Sequence, residues 1–205
     1  ADGQIPRTTR ANWSRQVEGE VTSYVEKLYE DARSELGKQI SRSGPNQRFF
    51  VFNPLSWTRT DFTDLPLKWN STVHVVDVAT GLEVQSQIVR SGNQRFLRVL
   101  ASNVPSVGYK AFEIRPGAGP GYPNAATVTA TTIENGFYRV TIAGDGAITS
   151  LVDKTFGNRE VVRNIDGRVA NDLGGNRTGT IVVENAGPVS VTLRAASTSP
   201  IPHIT

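Results

Sequence analysis

The chain offers few side chains for chemistry. Two histidines, His74 and His203, are present, and there is no cysteine. A nucleophilic triad needs a base held beside its nucleophile. Neither histidine has such a motif around it. His74 alternates with Val73 and Val75, which reads as a strand residue facing solvent or packed on a sheet. His203 lies in the last stretch, "SPIPHIT", and carries no ligand spacing. Paired carboxylates would suit glycoside hydrolysis, but Asp145, Asp153, Asp166 and Asp172 all fall at turn signals, where Asp is favoured for its local hydrogen bonds. "PGAGPG", from Pro116 to Gly121, is not followed by a helix, so no helix N-terminus would hold a phosphate there. "NDLGGNRTG", from Asn171 to Gly179, reads as a surface loop. Sequons begin at Asn12, Asn70 and Asn176, about as many as this Ser/Thr content gives by chance. The residues therefore assign no catalytic and no metal-binding role, and the substrate-binding residues stay unknown.

The elements that would position a site are easier to read. Hydrophobic residues make up 38% and charged residues 20% of 205, with a formal charge of +3, so a packed core is expected. Lys and Arg are scattered, without the basic block that neutralises phosphates, which speaks against a nucleic-acid partner. No apolar run is long enough to cross a bilayer as a helix, and no membrane partner is expected. The absence of methionine suggests a mature or excised segment. The compartment stays open.

From Asn12, a candidate N-cap, to Ile40, Val17, Val21, Tyr24, Leu28, Ala32, Leu36 and Ile40 recur at helical steps. The Gly44-Pro45 pair stops this pattern. The period then changes to two. "RFFVFN", "STVHVVDVAT", "EVQSQIVR", "RFLRVLAS" and "GYKAFEIR" are short, rich in β-formers and separated by turn signals, as in an antiparallel sandwich. "RPGAGPGYPNAA", from Arg115 to Ala126, reads as a boundary. Strand signals resume in "ATVTATTIEN", "GFYRVTIAG", "GAITSLVDK", "REVVRNID", "GTIVVENAG" and "PVSVTLRAAS", with a tight reversal at Gly144-Asp145-Gly146. The fold class is mainly β: a tail and helix over 1–46, a small antiparallel β-domain over 47–115, a Gly/Pro linker over 116–126, and over 127–205 the start of a larger β-sandwich that looks cut off.

Two stretches carry a resemblance. "VFNPLSWTRTDFTDLPL", Val51 to Leu67, resembles the segment that opens the first β-domain after the helical bundle in glycoside hydrolase family 38, the α-mannosidases. "ENGFYRVTIAGDGAITSLVDKTFGNREVV", Glu134 to Val162, is similar to the segment that opens the large C-terminal β-supersandwich of that family. It also recurs more loosely in other carbohydrate-active supersandwiches. The helix ahead of Gly44 fits the last helix of the family's three-helix bundle. The resemblance implies a metal-dependent parent glycosidase that cleaves α-mannosides with retention. It places zinc or another divalent metal, and the nucleophilic Asp, in a catalytic domain outside this chain. No cofactor is expected in the segment itself. Its expected partners are that domain of the same polypeptide and, through the parent, mannose-containing glycans. Alone it is expected to be inactive.

Three further expectations can be checked. Val17, Tyr24 and Leu28 should form an unusually apolar surface facing the catalytic domain. Trp57 should fill the seam between helix and sheet. A stand-alone carbohydrate-binding module would instead show an aromatic platform, for which Trp57, Trp69 and Tyr122 are the candidates, and an immunoglobulin-like scaffold would show a self-contained sandwich after Ala125.

Overall fold

The computed structural model describes residues 7–39, 44–68, 70–172 and 178–197. Helix α1 (Arg7–Gln39) opens it. It begins five residues before Asn12, so Asn12 is not its cap; the Asn12 Oδ1 accepts instead from Arg15 Nη1 within the helix. Arg7 to Ala11 carry no apolar period but can all continue a helix, which is why periodicity alone started it late. Ion pairs Lys27–Asp31, Arg33–Glu30 and Lys38–Glu35 run along its surface. Such exposed pairs contribute only a few tenths of a kcal/mol each, about 0.3–0.5. No residue of α1 is buried. Ile40 lies outside the described residues.

Seven strands follow: β1 (Arg48–Asn53), β2 (Arg59–Pro66), β3 (Val73–Asp77), β4 (Glu83–Val84), β5 (Ser86–Ser91), β6 (Gln94–Val104) and β7 (Gly108–Pro116). They form two antiparallel sheets, ordered β1-β7-β3-β4 and β2-β6-β5. Along β6, Leu97, Val99 and Ala101 are buried while Arg98 and Leu100 between them are less so, the period-two pattern of a strand with one face on a core. Those residues meet Phe112 and Ile114 of β7, Val75 of β3, and Leu67 and Val104; Phe49, Val51 and Leu65 pack around them. Phe49 stacks on Phe112 at 5.5 Å between ring centroids. The turns follow the sequence signals. Gly81 (φ 70°) closes β3–β4 and Gly92 (φ 57°) closes β5–β6, both in the left-handed region that suits glycine.

Beyond Pro116 the chain crosses without a strand to β8 (Thr127–Val128), β9 (Thr132–Glu134), β10 (Tyr138–Ile142), β11 (Ile148–Asp153) and β12 (Arg159–Glu160). These make a five-stranded sheet in the order β12-β11-β10-β9-β8. "REVVRNID" keeps strand structure only at its first two residues, and "ATVTATTIEN" is split by the turn in which the Thr129 amide donates to the Thr132 carbonyl. Gly146 (φ 85°) closes β10–β11 as expected. A separate hairpin pairs β13 (Gly179–Ala186) with β14 (Val191–Ser197). Val140 of β10 pairs with Ile133 on one side and Leu151 on the other. These three lie on one face of the sheet and are only partly buried. Among the described residues, then, the region after Ala125 is one sheet and one hairpin, not a closed sandwich.

Candidate functional site at the helix–sheet junction

The motif "FNPLSW" explains itself once Asn53 is seen. This residue ends β1 and is buried. Its Nδ2 group donates to the carbonyls of Trp57 (2.7 Å), Val104 (3.2 Å) and Pro105 (3.1 Å), and its Oδ1 accepts the Leu55 amide (3.1 Å). Proline at position 54 has no amide to donate, so the chain leaves the ladder there. The Leu55 carbonyl in turn accepts from Val107 (2.9 Å). The β1–β2 and β6–β7 turns are thereby interlocked. Val107 is held at φ 43°, a conformation that a β-branched residue adopts only when its surroundings dictate it. Trp57 does not fill a seam: it is 60% exposed. The local need was for its carbonyl, and the indole is left outside.

A second polar cluster fixes the strand that follows α1. Glu113 is buried on the outer face of β7. It accepts from Arg115 Nε (2.8 Å), Arg48 Nε (2.8 Å) and Asn46 Nδ2 (3.2 Å). The Arg115 bond, then Arg48 and Asn46, hold its carboxyl down to about 2, against an ordinary value of 4.5. Asp77 is buried as well, paired with Lys110 at 3.0 Å. Between β1, β2 and the C-terminal half of α1 runs an open groove of about 940 Å³, lined mainly by apolar groups including Tyr29, Phe50, Phe52, Pro54 and Leu65. The helix approaches the sheet here: a Cβ on Gly37 would lie 3.9 Å from the Phe50 ring.

The other singled-out residues take structural places. The His74 Nδ1–H donates to the Gly117 carbonyl at 3.1 Å. Asp145 and Asp153 accept amides two residues on, from Ala147 and Thr155. Asp166 (φ 51°) sits in the Ile165–Arg168 turn, and the Asp172 amide donates to Val169. Val17 is half-buried, whereas Tyr24 and Leu28 are 66% and 50% exposed. Asn70 is exposed and accepts from Arg95. His203, Trp69 and Asn176 lie outside the described residues. The Tyr122 hydroxyl donates to the Glu83 carbonyl of β4 (3.1 Å). Trp57 is tied beyond β1, at the opposite edge of the same sheet. With strands about 4.8 Å apart, these two aromatics share no platform.

The carboxylates with clear shifts all move the same way. Besides Glu113, Glu134 is lowered by Lys154, Asp153 by the Thr155 hydroxyl, and Glu160 by the Ser150 hydroxyl. A glycosidase acid needs the opposite, a raised value that keeps its proton near neutrality. No group of three or more His, Cys, Asp or Glu among the described residues could hold a metal ion. The groups brought together here brace strands and turns; they form no nucleophile–base pair.

No family model and no curated protein matches the chain. Solved structures do. One is the crystal structure of an α-mannosidase from Enterococcus faecalis V583, with a TM-score of 0.56 and 17% identity over 82% of this chain. The fold is similar to that of a segment of this α-mannosidase. A structure of a protein in glycosyl hydrolase family 38 from Enterococcus faecalis is similar over 66% of the chain, with a TM-score of 0.49 and 17% identity. The chain spans 25% and 20% of those two chains. In this chain, Val51–Leu67 is the β1–turn–β2 interlock, and Glu134–Val162 runs from β9 through β12. What sequence reasoning missed is Glu113, Asp77 and Gln87. Each has at least one partner 33 or more residues away, Lys110 for Asp77 being the nearest of these, and no local pattern marks them.

Proposed function

We propose that this chain is a non-catalytic segment of an α-mannosidase-like retaining glycoside hydrolase of family 38. In this reading it packs the α1 stripe and the adjoining groove against the catalytic part of the parent and adds loops to the rim of the substrate cleft. The observation that carries the reading is the fold likeness, which extends over 82% of this chain but only 25% of the α-mannosidase. The uncovered helix supports it. Trp13, Val21, Tyr24, Val25 and Leu28 are all exposed, and a lone helix gains most of its stability from a covered apolar face.

The chemistry of the parent lies elsewhere in this proposal. Retention needs two carboxyl groups about 5 Å apart across the sugar, and a divalent metal would orient the sugar hydroxyls. The test is an aryl α-mannoside assay of this chain and of a longer protein extended toward the N-terminus, each with and without zinc. Turnover is expected only from the longer protein, and only with metal. Metal-dependent turnover by this chain alone would overturn the proposal.

A further inference from the structure

Among the described residues, the hairpin β13–β14 shares no strand ladder with the five-stranded sheet that precedes it. Its tip instead meets β5 at Gln87. The Gln87 Oε1 accepts the amides of Val189 (2.8 Å) and Ser190 (2.9 Å). The Gln87 Nε2 group donates to the Ser190 carbonyl (3.1 Å) and to Asn185 Oδ1 (3.2 Å). The primary amide thus does what a paired strand residue would do, offering an acceptor and donors together. Turned over, it would set its own N–H groups against two amides.

Three neighbours are shaped to this contact. A Cβ on Gly187 would stand 2.5 Å from Gln87 Oε1, so any larger residue there would push the Gln87 amide out of this position. Arg98 of β6 donates through Nη1 to the Ser190 hydroxyl (2.9 Å). Its Nε and Nη2 grip Asp64 at 2.8 and 2.7 Å, and its guanidinium lies 4.3 Å from the Phe62 ring centroid. The Ser190 hydroxyl in turn donates to Asn185 Oδ1 (3.1 Å). At its other side the hairpin meets the β10–β11 turn, where Gly146 approaches Ala195, and the Gly187 carbonyl accepts the Ala125 amide (2.9 Å).

We propose that Gln87 is a latch that seats the β13–β14 hairpin on the β2-β6-β5 sheet, making the hairpin a bridge between the two β regions. This does not rest on the glycosidase reading. Amide hydrogen exchange on the intact chain tests it. Gln87→Ala should speed exchange at Val189 and Ser190 about tenfold or more, because both amides lose their acceptor, while Leu97 and Val99 in β6 keep their protection. Gly187→Ala should do the same by blocking the approach. In the double variant the two effects should not compound, since the added Cβ then meets no amide. Should Gln87→Ala also deprotect β6, Gln87→Met keeps the stem, removes only the amide, and is judged on the same two positions. Unchanged exchange at Val189 and Ser190 without the amide, or effects that multiply in the double variant, would overturn the latch.

Discussion

Helix α1 and the β1–β7 sandwich solve the same problem to different degrees. Both carry apolar residues at the period of their own element. In the sandwich the two faces meet, and Phe112 is 1% exposed. In α1 the stripe from Trp13 to Leu36 meets solvent along most of its length. Periodicity therefore reports which face wants a partner; whether the partner lies within the chain is a separate matter. The sandwich buries its own core, whereas no residue of α1 is buried.

The largest test of this contrast is Phe112→Ala, which opens a cavity between the two sheets and should cost about 3–5 kcal/mol in denaturant unfolding. A cost near zero would mean that the sandwich is not the stabilising unit. Asn53→Ala should come next, at about 2–3 kcal/mol, because the carbonyls of Val104 and Pro105 and the Leu55 amide lose their partner behind a buried turn. Glu113 separates the regions by pH. Its folded value of about 2 lies below its ordinary 4.5, so its contribution is complete above pH 4.5 and fades as pH falls toward 2. Glu113→Gln should be less stable than the parent sequence at pH 7, with the two converging near pH 2. Curves that stay parallel across that window would remove Glu113 from the junction. The smallest effect is expected from Leu28→Ser, within about 0.5 kcal/mol in this chain. The same change in a longer protein that covers α1 should cost nearer 1.5–3 kcal/mol.

How far these regions could be read beforehand follows from where their information lies. Leu97, Val99 and Ala101 announce β6 because burial on one face is written at every second residue. Gly81, Gly92 and Gly146 announce turns because the backbone there needs positive φ. Asn12 misled because a capping residue can also sit inside a helix, where its side chain finds Arg15. Trp57 misled because size alone does not decide burial; Asn53 needed the Trp57 carbonyl and left the ring outside. Glu113 and Gln87 left no mark: Gln87 acts through groups 98–103 residues away, and Glu113, besides its neighbour Arg115, through Arg48 and Asn46, 65 and 67 residues away. A charged or amide side chain in a strand looks like any surface residue until the fold returns its partners.

The proportions of α1 have a mechanical consequence. At about 1.5 Å per residue, its 33 residues make a rod roughly 50 Å long. Its contact with the sheet is near Gly37, so the rod behaves as a lever with its fulcrum at Phe50. A tilt of about 10° there would swing the Trp13 end through several ångströms, roughly 6–7 Å by the same rise per residue. A small change of angle at the Gly37 end is therefore magnified at the far tip.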